Sequence, residues 1–228
     1  MKRLITAIDT ADAPQAAALI AAAAPHSGLI KLGLEFFLRH GPAGLGLAAG
    51  TPLFLDLKLH DIPTTVAGAV RALAGLPIEL LTIHAAGGPA MVRAAVEAAP
   101  AGTKILAVTV LTSLDASALS DIGVAGGPTQ QVLRLARLAL ANGAQGLVCS
   151  AREISALRDA FGEAPILVVP GLRPAGAAAG DQARTMTPEQ AIAAGADYIV
   201  VGRPITTAPD PAAAAAAIAA AIRDLRDA

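Results

Sequence analysis

Three charged residues interrupt a strongly apolar stretch, FLDLKLHDIPTT, at residues 54–65. Asp56 and Lys58 are two positions apart, so on an extended strand both side chains project from the face that also carries Phe54. Asp61 follows three residues later, in the segment after the strand. Carboxylates and ammonium groups set side by side are the usual groups for proton transfer and for stabilising charge in a transition state. The stretch therefore predicts a catalytic site.

Two more charged residues stand at or near the ends of apolar runs. Asp9 closes the run RLITAI, and Lys31 lies inside LIKLG. An Asp–Lys pair alone can also be a buried ion pair that fills the interior, although such pairs often add nothing to stability over an apolar replacement. Five charges of alternating sign are costly to bury for structure alone, so the array favours chemistry.

A second set of residues is typical of phosphate binding. The run YIVVGRPIT ends a predicted strand at Gly202, with Arg203 next and a short predicted helix after it. Glycine permits close approach of the backbone, and arginine offers a fork of donors to phosphate oxygens. The loop PGLRPAGAAAGDQAR adds Arg173, Gln182 and Arg184. For any single arginine, a solvated surface charge is the alternative.

Strand-like runs recur along the chain with helical, Ala- and Leu-rich stretches between them. This alternation predicts parallel strands, because parallel pairing needs crossover connections. Eight such units within 228 residues predict a (β/α)8 TIM barrel, with 1–228 as a single domain; a doubly wound open sheet is the alternative. Barrel enzymes work at the C-terminal ends of their strands, where the charged residues stand. The predicted strands are 3–8, 29–33, 53–58, 80–85, 104–110, 146–150, 166–170 and 198–202.

The composition excludes several classes of protein. Aromatic residues make up 2% with no Trp, and the net charge is −1, so neither a stacking surface nor a basic patch for nucleic acid is present. The single cysteine, Cys149, excludes an internal disulfide. The N-terminal apolar run is short and is broken by Asp9, and the Ala-rich segments are too short or too polar to span a membrane. We therefore expect a cytoplasmic protein without nucleic-acid or membrane partners.

Two patterns resemble cofactor sites but lack their context. GLGLAAG at 44–50 precedes a strand, whereas a dinucleotide-binding glycine loop follows one. His60 and His84 have no partner at metal-ligand spacing, so no metal site is predicted.

The ordered motifs resemble the orotidine 5′-phosphate decarboxylase family, which carries out the last step of UMP synthesis. The resemblance covers essentially the whole chain, and the Asp-x-Lys-x-x-Asp core alone is less specific because related phosphosugar barrels share it. The motifs that carry it are AID (7–9), IKLGLEFF (30–37), FLDLKLHDIPTTV (54–66), VTVLTS (108–113), GLRP (171–174), GDQAR (180–184) and VGRPIT (201–206).

The resemblance implies a decarboxylase of orotidine 5′-monophosphate that uses neither cofactor nor metal and works as a homodimer with its sites at the subunit interface. Lys31, Asp56, Lys58 and Asp61 match the family's charged tetrad, with Lys58 as the proton donor to C6. The resemblance also implies that Asp61 reaches into the site of the neighbouring subunit.

The resemblance also assigns the substrate contacts. Asp9 and Lys31 match groups that hold the ribose hydroxyls, and Thr65 matches a ribose contact from the partner chain. Thr112 matches a contact to the pyrimidine. The remaining matches are contacts to the phosphate or nearby parts of the nucleotide, namely Arg173, Gln182, Gly202 and Arg203.

One position departs from the family pattern, and two alternatives remain open. Thr64 stands where the family usually has Asn, so a contact at 64 is in doubt. The loop 174–183, with Gln182, is a candidate lid over the phosphate. A magnesium-dependent sugar-phosphate barrel of the hexulose-phosphate synthase type is one alternative function, and a non-catalytic phosphonucleotide-binding barrel is the other.

Overall fold

The computed structural model describes residues 2–173, 186–223 and 225. Within them, eight parallel strands form a closed barrel in which each strand pairs with the next and the last pairs with the first. The predicted (β/α)8 barrel is confirmed, and the open-sheet alternative is wrong. Each predicted strand is present, and its ends differ by two residues or fewer. The strands are β1 (Leu4–Ile8), β2 (Leu29–Gly33), β3 (Leu53–Leu59), β4 (Ile78–His84), β5 (Lys104–Val108), β6 (Gly146–Val148), β7 (Ile166–Val169) and β8 (Tyr198–Val201).

Helices surround the barrel. Short 3-10 turns lie at Leu45–Ala48, Ala85–Gly87 and Ala151–Glu153. The α-helices are α1 (Ala13–Ala23), α2 (Leu34–Gly44), α3 (Pro63–Ala72), α4 (Gly88–Ala98), α5 (Ala116–Asp121), α6 (Pro128–Ala141), α7 (Ile154–Phe161), α8 (Pro188–Ala193), α9 (Arg203–Thr206) and α10 (Pro211–Ala221). Helix α2 is interrupted at Gly41, whose φ is 60°. Across the described residues, no helix is both long enough and apolar enough to span a membrane.

The two alanine-rich helices begin with the same signal. Asp12 caps α1 by accepting from the backbone N–H of Gln15, and Asp210 caps α10 by accepting from that of Ala213. Proline at the first or second helical position follows each cap, where its missing N–H costs nothing. Alanine has the highest helix propensity and a small side chain, so the two helices pack together closely.

Side chains of β3 alternate between two apolar layers, as the sequence predicts. Phe54 lies in the barrel interior, whereas Leu53, Leu55 and Leu57 pack between the strands and the helices. The face that carries Phe54 continues upwards into Asp56, towards the C-terminal end of the barrel. The barrel therefore separates the leucine side of β3 from the charged side.

A β-bulge interrupts the pairing of β3 with β4. Leu55 pairs with Leu81 and Leu59 pairs with Ile83, so three residues of β3 lie opposite the single Thr82. Lys58, within this bulge, has a φ of 50° and is the only described residue other than glycine with a positive φ. Such strain persists only where the surroundings hold it, and it is common at functional sites.

Candidate active site

A cavity of about 780 Å³ opens at the C-terminal ends of the strands. Its floor is apolar, with Phe54, Val108, Val148 and Val200 among the lining residues. Its rim is charged. Eight of the residues that the sequence assigned to a site line it, namely Asp9, Lys31, Asp56, Lys58, Thr112, Arg173, Gly202 and Arg203.

Four charged side chains form a continuous chain across the cavity. Lys31 Nζ lies 3.2 Å from Asp9 Oδ1 and 3.4 Å from Asp56 Oδ2. Lys58 Nζ lies 2.8 Å from both carboxylate oxygens of Asp56. The order Asp9–Lys31–Asp56–Lys58 alternates in sign, so every ammonium has a carboxylate neighbour and Asp56 has two ammonium neighbours. These ion pairs link the residue that follows β1 with residues of β2 and β3.

Exposure differs along this chain of charges. The side chains of Lys31 and Asp56 are 11% and 12% exposed, whereas that of Lys58 is 37% exposed. Lys58 is therefore the ammonium that is held on one side by Asp56 and open on the other. A molecule bound in the cavity meets an amino group whose position is fixed by Asp56.

Asp56 is ionised because its neighbours outweigh its burial. Burial favours the neutral acid, but the charges of Lys31 and Lys58, with hydrogen bonds from Lys58 and Thr82, hold the pKa of this carboxyl below its ordinary value of 3.8. Hydrogen bonds donated to a carboxylate favour its charged form. Asp56 therefore keeps its charge at neutral pH.

Two histidines stack beside the charged chain without joining it. The rings of His60 and His84 are tilted, with centroids 5.3 Å apart. Burial, the adjacent His60 ring and the charge of Lys58 lower the pKa of His84 below its ordinary value of 6.5, against the opposing effect of Asp56. His84 is therefore neutral at neutral pH and adds no positive charge to the rim.

Cys149 also lines the cavity, but its thiol is not a nucleophile. Burial and the nearby carboxylate of Glu153 raise the pKa of the thiol to about 12, against the opposing effect of Arg158. Because the thiolate is the reactive form, this cysteine is inert at neutral pH. Its burial agrees with a core role.

The opposite rim of the cavity carries the residues predicted to bind phosphate. Gly202 and Arg203 follow β8 at the start of α9, and Arg173 follows β7. Strand β8 pairs with β1, so this rim adjoins Asp9. Gln182 and Arg184 lie outside the described residues, as does the whole of the loop 174–183.

Asp61 and Thr65 do not line the cavity of their own chain. Both are exposed, and the carboxylate of Asp61 accepts from the backbone N–H of Ile62 at 2.6 Å. Their predicted contribution to a neighbouring subunit's site stays a prediction. Thr64, the departure from the family pattern, is exposed beside them.

Sequence reasoning missed two residues. Thr82 donates to Asp56 and Thr207 lines the cavity beside Arg203. Leu80, Thr82 and His84 alternate on one face of β4, so a polar residue two positions before the end of a strand was the available signal for Thr82. Thr207 lies beyond a four-residue helix, and no local pattern marks it.

No group of three or more His, Cys, Asp or Glu arranged to hold a metal ion occurs in residues 2–173 or 186–223. The prediction that the protein uses no metal stays a prediction.

Comparison with known proteins gives consistent similarities. A model of the "Orotidine 5′-phosphate decarboxylase / HUMPS family" matches residues 2–218. The chain is 58% identical over 223 residues to an orotidine 5′-phosphate decarboxylase of Anaeromyxobacter sp. (strain K), covering 97% of this chain and 98% of the relative. It is 57% identical over 223 residues to the protein of the same name in Thermobifida fusca (strain YX), covering 96% and 95%.

A solved structure agrees with these similarities. The crystal structure of orotidine 5′-phosphate decarboxylase from Lactobacillus acidophilus matches with a TM-score of 0.87 and 37% identity, covering 98% of this chain and 100% of that one.

The ionisation of Asp56 predicts a pH-dependent stability. Asp56→Asn removes the partner of two ammonium groups, so we expect the free energy of unfolding at about pH 7 to fall by about 2 kcal/mol. Because the folded-state pKa is below 3.8, this contribution is complete above pH 3.8 and is lost as the pH falls through the lowered value.

Urea unfolding of wild type and Asp56→Asn at about pH 7, 5 and 3 measures this contribution. The difference between their free energies of unfolding should shrink only at the lowest pH, where Asp56 begins to be protonated in the folded protein. The exposed Asp121→Asn is the matched control and should leave stability unchanged. An Asp56→Asn protein as stable as wild type at pH 7 contradicts the account.

Proposed function

Because the chain belongs to the orotidine 5′-phosphate decarboxylase / HUMPS family, we propose that it decarboxylates orotidine 5′-monophosphate (OMP) to uridine 5′-monophosphate (UMP) and CO2. The main support is the name shared by relatives 57–58% identical along nearly the whole chain. The position of Lys58, paired with Asp56 and open to the cavity, fits this reaction.

The reaction needs a cation at one carbon of the substrate. When the bond between C6 and the carboxylate breaks, its electron pair stays on C6 and CO2 leaves. The Lys58 ammonium stabilises this negative charge and then donates a proton to C6, which forms the C6–H bond of UMP. The neutral amine of Lys58 takes a proton from solvent, so one proton is consumed in each turnover.

Lys31 and Asp56 hold Lys58 ready for this step. Asp56 fixes the ammonium through both carboxylate oxygens, and Lys31 fixes Asp56 from the other side. A donor held before the reaction does not have to reorganise as charge develops. In this proposal the protein's own side chains supply the chemistry, without cofactor or metal.

The rest of the cavity orients the nucleotide. We propose that Asp9 and Lys31 hold the ribose hydroxyls and that Thr112 contacts the pyrimidine. Arg173, Gly202 and Arg203 bind the phosphate on the opposite rim. Because the phosphate does not react, its binding energy can align C6 with Lys58. The predicted contribution of Gln182 falls outside the described residues.

The proposal includes a homodimer in which Asp61 and Thr65 complete the neighbouring subunit's site. Both residues are exposed on the segment that follows β3. Three large apolar side chains at the same end of the barrel are exposed as well, Leu34 by 52%, Leu38 by 75% and Ile62 by 63%. Large apolar side chains exposed at the end of the barrel that carries Asp61 and Thr65 fit a subunit interface.

The proposed activity has a direct test. We expect the purified protein to convert OMP to UMP at an undiminished rate in the presence of EDTA, followed by the ultraviolet absorbance of OMP. Loss of activity with EDTA and its return with Mg²⁺ would favour the sugar-phosphate barrel alternative, for which a hexulose phosphate is the comparison substrate. UMP binding without turnover would favour the non-catalytic alternative.

Lys58 is the residue on which turnover should depend most. Lys58→Ala removes the proton donor, so we expect kcat to fall by at least about 10³-fold. UMP binding, measured by calorimetry, should remain because the phosphate rim is unchanged. Lys104→Ala is the matched control, since Lys104 pairs with Glu79 at the other end of the barrel and should leave kcat unchanged. Turnover retained in Lys58→Ala removes Lys58 as the acid.

The shared site can be tested by mixing inactive subunits. Asp61→Ala and Lys58→Ala homodimers should each be inactive, but their hybrid holds one site with both residues intact. Random co-assembly should restore activity to about a quarter of the wild-type level, because half of the dimers are hybrids with one good site each.

Lys58→Ala mixed with Asp56→Ala is the control for this experiment. Both residues belong to the same chain's cavity, so every site of that hybrid lacks one of them and no activity should return. Failure of the first mixture to recover activity, with hybrids confirmed by mass, would place Asp61 outside the neighbouring site.

A further inference from the structure

Thr82 is a buried polar residue in the middle of the charged site. It lies on β4 with 0% of its surface exposed. Leu80, on the same face, belongs to the barrel interior, so the Thr82 side chain points inwards below the rim. It stands opposite the bulge of β3. A hydroxyl at such a position must be satisfied by its neighbours.

The Thr82 hydroxyl both donates and accepts a hydrogen bond, and both partners belong to the charged site. Thr82 Oγ1 donates to Asp56 Oδ1 at 2.8 Å, and it accepts the backbone N–H of Lys58 at 2.9 Å. Since a hydroxyl has one proton, the donor function is used entirely on Asp56. The side chain of Lys58 closes the ring by donating to Asp56.

The second of these bonds replaces one that the bulge removes. At a bulge the extra residues leave the regular ladder, and a buried N–H without a partner is costly. The N–H of Lys58 finds Thr82 Oγ1, and Lys58 holds its φ of 50° there. A single hydroxyl therefore fixes the backbone from which the ammonium extends and the carboxylate that the ammonium contacts.

We propose that Thr82 is a positioning residue that aligns the Lys58 ammonium with the reacting carbon. The proposal rests on the proposed decarboxylation. Thr82 touches no substrate in this account, since it is fully buried beneath Asp56 and does not line the cavity. It acts on the rate through the geometry of Lys58 and Asp56.

A purely structural role makes a different prediction. If Thr82 only fills the space opposite the bulge, valine should serve, because it has nearly the same shape. Removing the hydroxyl would then change stability and leave kcat unchanged. A positioning role therefore predicts a lower kcat with KM nearly unchanged, whereas a space-filling role predicts that both stay unchanged.

The test compares two substitutions. Thr82→Val removes both hydrogen bonds, and we expect kcat for OMP to fall about 10- to 100-fold, since small misplacements of a catalytic group are this costly. KM and the Kd for UMP should change by less than about threefold, because the phosphate rim is untouched. Thr82→Ser restores the hydroxyl, and its kcat should return to within about threefold of wild type.

Thr6→Val is the matched control. Thr6 is also 0% exposed on a barrel strand, and its hydroxyl bonds to Ser27 Oγ at 2.7 Å, away from the cavity. Its removal should cost a comparable amount of stability with kcat unchanged. If Thr82→Val does not fold, Thr82→Ala removes the same hydroxyl with a smaller side chain, and the same loss of kcat is expected.

Three results would overturn the inference. A Thr82→Val protein with wild-type kcat would give Thr82 a structural role only. Equal losses in Thr82→Val and Thr82→Ser would show that the hydroxyl is not responsible. A wild-type protein that does not decarboxylate OMP would remove the proposed function and this inference with it, whereas an active wild type with an unaffected Thr82→Val removes the inference alone.

Discussion

The carboxylate of Asp56 lies between two ammonium groups, 3.4 Å from Lys31 Nζ and 2.8 Å from Lys58 Nζ. Each charge in this cluster needs the others, because burying an unpaired ion is strongly unfavourable. The two lysines hold the pKa of Asp56 below its ordinary value against the effect of burial, and the mutual pairing fixes the positions of all three groups before a substrate arrives. The chemistry proposed for Lys58 depends on this arrangement, since only a protonated amine can stabilise an anion and then donate its proton.

A buried cation elsewhere in the barrel, Arg158, shows that ion pairing alone does not make a catalytic site. The Arg158 side chain is 9% exposed and forms an ion pair with Asp197 at 2.7 Å. Its other donors go to backbone carbonyls of Gly162, Pro165 and Gly195, so the guanidinium ties loops together. Lys58 differs because its ammonium is partly exposed at a cavity, and Asp56 occupies only one side of it. Room for a ligand, more than burial or charge, distinguishes the candidate catalytic cation from the structural one.

The β-bulge in β3 helps to set the positions of Asp56 and Lys58. A regular β3 would place the residues from 56 to 58 in register with β4, whereas the bulge sets all three opposite Thr82. The resulting conformation of Lys58 is unfavourable by itself, and the hydrogen bond to Thr82 Oγ1 supports it. The eight-stranded barrel supplies the rigid frame that makes such a conformation tolerable, because its strands are hydrogen-bonded on both sides.

The sequence by itself determined the eight βα units, the two faces of β3 and the residues at the strand ends. These features are local, because alternation of side chains and capping depend on neighbours along the chain. The tertiary structure decided which of those residues meet. Asp9, Lys31, Asp56 and Lys58 converge because β1, β2 and β3 pair side by side in a fixed register, while Asp61 stays exposed on the surface. The partners of Thr82 were also decided only there: the strand pattern marks an inward polar residue, but a bulge and the bond across it depend on two strands separated by a whole helix, and no local pattern encodes that register.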